Sequence, residues 1–262
     1  MPDTGWRLLV TCEHATHRIP APYRSAFAKA GRLLASHRGF DPGALELAKT
    51  ISRQLRAPLK RGTTSRLLVE LNRSVGHPRL WSDFTRDLPP PMKQEILTRY
   101  YYPHRLEVLR WIKSRVTRGH RVLHLSVHTF TPVWEGEPRV ADIGLLHDPR
   151  RASERTLCLR WKQTLRAQDP SWRVRRNYPY QGVADGFTTH LRKSFDAGHY
   201  AGIELEVTQA WARSPRRRWL NLQKAIAHSL SGALRLRAFP ARRSGCSPEP
   251  AECPGRVEGV EG

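Results

Sequence analysis

Apolar and polar positions along the chain fall into two periods. Residues 7–12 (RLLVTC) form a short apolar run that predicts a buried strand. It ends in a polar turn, EHATHRIP, over 13–20. Helical spacing follows over 22–36 and 42–56. The second stretch opens at Asp41-Pro42, an N-cap followed by proline in the first turn. Its Leu45, Leu47, Ala48, Ile51 and Leu55 share one face. Residues 66–71 (RLLVEL) predict a second strand that runs into Asn72, Arg73 and Ser74. Residues 75–92 carry glycine, histidine, tryptophan and a triple proline, so they read as a loop. A long helix is expected over 92–118, interrupted near Pro103 and closed by Gly119. Further strands are expected over 121–127, 141–146 and 201–207, helices over 152–166 and 215–236, and a loop over 177–186. Strands alternating with helices define an α/β fold: a mixed, largely parallel central sheet covered by helices. One domain is expected over 1–238. The proline-, glycine- and arginine-bearing segment 239–262 is expected to be a disordered tail.

Composition narrows the class. No apolar run approaches the roughly 20 residues of a membrane helix, and the N-terminus lacks a secretory pattern. A cytoplasmic protein without a membrane partner is therefore expected. The net charge is +22, from 45 basic and 23 acidic residues. Such a charge makes nucleic acid a candidate partner. However, the basic residues are eight lysines against 37 arginines, dispersed along the chain. The tightest clusters, 216–218 and 242–243, lack interleaved aromatics, so only non-specific nucleic-acid attraction is expected. Cys12 and Cys158 sit in apolar contexts as core residues. Cys246 and Cys253 fall in the tail, without zinc-ribbon spacing. G-x-S-x-G, P-loop and G-x-G-x-x-G patterns are all absent, which argues against the usual serine hydrolases, P-loop NTPases and simple dinucleotide enzymes.

Candidate chemistry gathers where strands end, the edge at which covered α/β sheets bind ligands. The first strand delivers Glu13 and His14, the second Asn72 and Arg73, the third His128. The last carries Glu204 and Glu206 on one face. Asp41 adds a carboxylate, although helix capping alone would explain it. Two histidines with carboxylates at converging strand ends suit a divalent metal, zinc foremost. Buried carboxylates such as Glu204 and Glu206 need a partner or a cation. An arginine at a strand end is a planar, bidentate carboxylate clamp. His104 and Glu107 have metal-ligand spacing but read as a solvated helix face.

Seven blocks carry a resemblance. They are VTCEHA at 10–15 with RIP at 18–20, FDPGA at 40–44, SRLLVELNRS at 65–74, LSVHTF at 125–130, ADIG at 141–144, NYPYQG at 177–182 with Asp185-Gly186, and GIELEV at 202–207 with Gln209. In this order, over about residues 8–212, they resemble the N-formylglutamate amidohydrolase family. The resemblance implies a zinc carboxypeptidase-like fold and a Zn2+-dependent hydrolase that cleaves the N-acyl amide of a small anionic amino acid such as N-formylglutamate. Hydrolysis of other N-acyl amino acids or peptides is an alternative reading, and polyanion binding on the same fold is another. By resemblance, His14, Asp41 and His128 are the metal ligands, with Glu13 a competing ligand or a partner of His14. Glu206 would be the general base, with Glu204 in reserve. Arg73 with Asn72 would bind the substrate carboxylate, and Arg66 is a second anion contact. Glu70 stands where the family usually has Asp.

Overall fold

The computed structural model describes residues 5–235. The expected tail, 239–262, lies outside the described residues, as do 236–238.

The chain enters through strand β1 (Trp6–Cys12). A 3-10 helix (Ala21–Phe27) and a single helical turn, α1 (Gly31–Leu34), follow, replacing the one helix expected over 22–36. Helix α2 (Ala44–Leu55) leads to a short strand, β2 (Leu59–Arg61). The long helix expected over 92–118 divides into α3 (Pro90–Ile96), a π-helical turn (Leu97–Tyr101) and α4 (Tyr102–Val116). Pro103 sits in the first turn of α4, directly after the π-helical turn. Strand β3 (Arg121–Phe130) extends past the predicted end and takes in His128. A hairpin of β4 (Val133–Trp134) and β5 (Glu137–Pro138) precedes β6 (Ile143–Leu146). Then come α5 (Ala152–Gln168), β7 (Val174–Arg176), α6 (Phe187–Arg192), β8 (Tyr200–Thr208), the short α7 (Gln209–Ala212) and α8 (Arg216–Arg235).

Six strands form one sheet in the order β2-β1-β3-β8-β6-β7. All neighbours pair in parallel except β6 with β8. This is the mixed, largely parallel sheet that the strand-helix alternation implies. Residues 66–71 do not join it. They form a turn-rich loop, with Leu68 N bonding Ser65 O and Glu70 N bonding Leu80 O. The apolar run is buried all the same: Leu67, Leu68, Val69 and Leu71 pack with Tyr23, Phe27, Leu80 and Ile96 in a separate small core. A short apolar run reports burial, and burial alone does not make a strand.

The sheet's two faces differ. Leu8, Val10 and Cys12 of β1, Leu123, Leu125 and Val127 of β3, and Ala201, Ile203, Leu205 and Val207 of β8 point to one side. There they form the main core with residues of α2, α5 and α8. Alternate residues on the other side are polar in large part: Thr11, His124, Ser126, His128, Glu204 and Glu206. Under α4 and α6 this face is closed by Val108, Ile112, Phe187 and Leu191. Its polar groups pair with one another. His124 bridges Thr11 Oγ1 (2.8 Å) and the Tyr200 hydroxyl (2.9 Å), and burial pulls its pKa down to about 4.

Candidate metal centre

β1, β3 and β8 run in parallel, so their carboxyl ends bring Glu13, His14, His128 and Glu206 to one edge of the sheet. His128 and Glu206 are direct partners in the ladder. Asp41 comes from the loop before α2. Its side chain turns to the histidines rather than capping the helix, whose N-cap is Gly43 at φ 87°. A backbone bond from Asp41 N to His14 O (3.0 Å) fixes that loop to the end of β1.

The histidines and Asp41 converge on one point. Asp41 Oδ2 lies 3.1 Å from His14 Nδ1 and 3.0 Å from His128 Nδ1, and the two Nδ1 atoms are 3.1 Å apart. Each ring is anchored through its other nitrogen. His14 Nε2 donates to Glu70 Oε1 at 2.5 Å. His128 Nε2 donates to Ser126 Oγ (2.8 Å), and Ser126 donates in turn to Glu13 Oε2 (2.6 Å). With both Nε2 atoms used as donors, the neutral rings direct both Nδ1 lone pairs at the Asp41 oxygen. Three lone pairs facing one another repel unless a cation lies between them. The spacings are close to the edge, about 3.3 Å, of a tetrahedron with zinc–nitrogen bonds near 2.0 Å. The three residues, all buried, form a group able to hold a metal ion.

The carboxylates around the two rings also favour the rings' protonated forms. Burial depresses both imidazoles. For His128, hydrogen bonds to Asp41 and Glu13 outweigh burial and raise its pKa well above the ordinary value. For His14, burial and the Arg66 charge act downward, yet Glu70 and Asp41 prevail and raise it. The carboxylates answer in kind. Burial would raise Asp41, Glu70 and Glu13. Their histidine partners, with Arg66 beside Asp41 and Glu70, hold all three below the usual carboxylate range.

Glu206 behaves oppositely. Burial dominates, and its carboxyl is pushed up to about 8. Its Oε2 is buried and has no hydrogen-bond partner among the described residues. An orphaned, desolvated carboxyl beside the convergent donors has the features of a general base. Glu204, two residues back, accepts a bond from Thr188 Oγ1 (2.7 Å) and lies deeper along β8.

The loop over 65–74 supplies the remaining expected residues. Arg66 is an ion-pair partner within the site: it reaches Glu70 Oε2 (2.7 Å) and Asp41 Oδ1 (3.2 Å). Asn72 spends its Oδ1 on Phe187 N at the start of α6 (2.7 Å). Arg73 is half-buried on the same loop. His104 departs from the sequence reading. It is buried rather than solvated, with Nε2 3.5 Å from Glu13 Oε1. Glu107, one turn on, is exposed and pairs with Lys60. Glu70 and His104 are the residues that sequence reasoning left out of the site. The spacing of His104 within α4 was visible, but a partner on a distant strand was not.

Fold and donor set together define an α/β protein with a candidate metal centre at the carboxyl edge of its sheet. The chain belongs to the N-formylglutamate amidohydrolase family, whose model matches residues 6–211. Among solved structures, a gene product of Agrobacterium tumefaciens is similar at 28% identity and TM-score 0.70, covering 86% of this chain and 90% of that one. The N-formylglutamate amidohydrolase of Ralstonia eutropha JMP134 shares the fold at 19% identity and TM-score 0.65, covering 86% of this chain and 92% of that one. No curated protein matches the chain. Membership of this family makes the chain an amidohydrolase-like hydrolase. Among the described residues no helix is long and apolar enough to cross a membrane.

Proposed function

We propose that this protein is a metal-dependent amidohydrolase that removes the N-formyl group of an acidic amino acid such as N-formylglutamate, with His14, Asp41 and His128 holding Zn2+. The observation that carries the reading is the pair formed by the convergent Nδ1–Nδ1–Oδ2 group and the unpartnered Glu206 carboxyl beside it. A divalent cation in that group supplies Lewis acidity to the amide carbonyl and lowers the pKa of water.

The chain's own residues do the rest. Glu206 takes a proton at its buried Oε2 as water attacks the formyl carbon. It returns that proton to the amide nitrogen as the carbon–nitrogen bond breaks, giving formate and the free amino acid. Glu70 and Glu13 hold the rings of His14 and His128 in the tautomer that presents Nδ1. Arg66 bridges Glu70 and Asp41, keeps both ionised and fixes their separation. Arg73, beside Asn72, meets the substrate carboxylate nearest the scissile bond.

Metal content of the wild type and of His128→Ala, measured together with formate release from N-formyl-L-glutamate, tests the reading. The expectation is about one equivalent of metal in the wild type, lost in the variant together with turnover. A wild type that binds no stoichiometric metal after reconstitution overturns it.

A further inference from the structure

The segment that follows β3 carries a cation, Arg139, with no part in the proposed hydrolysis. Arg139 follows the β4–β5 hairpin, and its backbone N–H closes that hairpin on Pro132 O (2.8 Å). Its guanidinium is framed by three aromatic rings: Trp134 at 5.0 Å, Tyr180 at 5.1 Å and Phe130 at 5.8 Å. Among the described residues no carboxylate pairs with it. Its two side-chain hydrogen bonds, to Thr131 Oγ1 (3.4 Å) and the Tyr180 hydroxyl (3.2 Å), both leave from Nη1. The edge formed by Nε and Nη2 is therefore uncommitted, and that edge is a fork which a carboxylate accepts with two parallel bonds.

Position ties this fork to the chemistry. Phe130 lies two residues beyond His128 on the same face of β3, about 6.6 Å further along an extended strand. That is about the reach of a glutamyl side chain from its own amide. On the other flank lies Arg66, near enough that a Tyr180 phenolate, once formed, would favour the charged guanidinium. The loop that bears Tyr180 is seated against β6: a Cβ on Gly144 would meet Tyr178 O at 1.9 Å and Glu206 Cβ at 3.2 Å. Through its bond with Tyr180, Arg139 is thus tied to the loop that packs against β6 beside Glu206. Arg66 is already neutralised by two carboxylates.

We propose that Arg139, held between Phe130, Trp134 and Tyr180, is a specificity-determining residue that grips the substrate carboxylate remote from the scissile amide. The inference rests on the hydrolase reading for its substrate, but not for the binding event. The aromatic frame keeps the side chain oriented and its charge partly desolvated, which strengthens a bidentate bond to an anion.

The test uses the full chain as wild type, Arg139→Ala, Arg139→Lys and Tyr180→Phe. Calorimetric titrations with L-glutamate and L-glutamine are run beside kinetics on N-formyl-L-glutamate and N-formyl-L-glutamine. Arg139→Ala is expected to weaken L-glutamate binding about ten-fold or more and to raise KM for the formylglutamate alone. Its kcat, metal content, Tm and response to the glutamine pair stay near wild type. Arg139→Lys, which keeps the charge but loses the fork, falls between the two, and it carries the test if the alanine variant does not fold. Tyr180→Phe loses affinity in the same direction, less strongly. Equal losses on charged and neutral ligands, or no loss at all, overturn the proposal, as does a wild type that does not bind L-glutamate. Glutamate binding that depends on Arg139, in a protein that hydrolyses neither formyl substrate, would retain this site and remove the hydrolase reading.

Discussion

At the scale of single residues, the site is a set of opposed titrations. Glu206 is a carboxyl whose folded-state pKa, about 8, lies above its unfolded value. Between roughly pH 4.3 and 8 the folded chain keeps a proton that the unfolded chain releases, so this group costs stability as pH rises through that window. Glu206→Gln removes the cost. Metal-free Glu206→Gln protein should therefore gain on the wild type in chemical denaturation as pH goes from 5 to 8, by on the order of a few kcal/mol, and the gain should level off above pH 8. A difference independent of pH would show that Glu206 is ionised throughout. The same substitution should lower turnover at least about 100-fold while metal stays bound, because it removes the proton acceptor and none of the three convergent donors. His14, His128 and Asp41 were readable from sequence because each follows a strand or opens a helix. Glu70 and His104 were not. Their importance depends on which distant residue each meets, Glu70 meeting His14 and His104 meeting Glu13.

Among the elements, what could be read was what periodicity encodes. The strands β1, β3 and β8 follow from their apolar runs, the polar faces of β3 and β8 from period-two alternation, and α2, α5 and α8 from helical spacing, whereas the order of the strands in the sheet does not. What could not be read was the fate of 66–71, since an apolar run buried in a loop looks the same as one buried in a sheet. Two joints between elements are open to test. Glu154 of α5, fully buried, pairs with Arg192 of α6 (3.1 Å) and accepts from Gly202 N of β8 (3.0 Å). Arg192 also donates to Gly202 O (2.7 Å). Arg192→Ala removes one of two cations on Glu154, leaving Arg151 at 3.3 Å, and should destabilise the fold by about 1–3 kcal/mol in urea unfolding. At the second joint, Gly144 of β6 admits the Tyr178 carbonyl. Gly144→Ala forces the 177–182 loop away from the sheet, at a cost of about 1–3 kcal/mol. Because that loop bears Tyr180, activity should fall further than the lower unfolding midpoint explains.

Over the whole molecule, the charge of +22 acts at a distance that no single contact covers. On the proposed function it would raise the encounter rate with an anionic substrate, and salt would attenuate that effect as the screening length shortens to about 8 Å at 0.15 M. kcat/KM for N-formyl-L-glutamate should therefore fall with ionic strength more steeply than for N-formyl-L-glutamine. Parallel salt dependences would mean that the net charge plays no part in substrate capture. Any retention on immobilised nucleic acid should vanish over the same salt range without dependence on base sequence.

The residues around the candidate metal centre have two origins. Glu13, His14, His128 and Glu206 belong to strands or to the two residues after one, and the placement of His128 against Glu206 follows from the ladder register. Asp41, Arg66 and Glu70 ride on loops, held by each other and by a few backbone bonds. Divergence can therefore act on the two halves unequally. The strand half is bound to the fold, so drift there damages the scaffold along with the chemistry. Arg66 and Glu70 can be exchanged while the sheet stays intact, whereas Asp41 carries a donor atom of the convergent group and is as tied to the site as the strand residues.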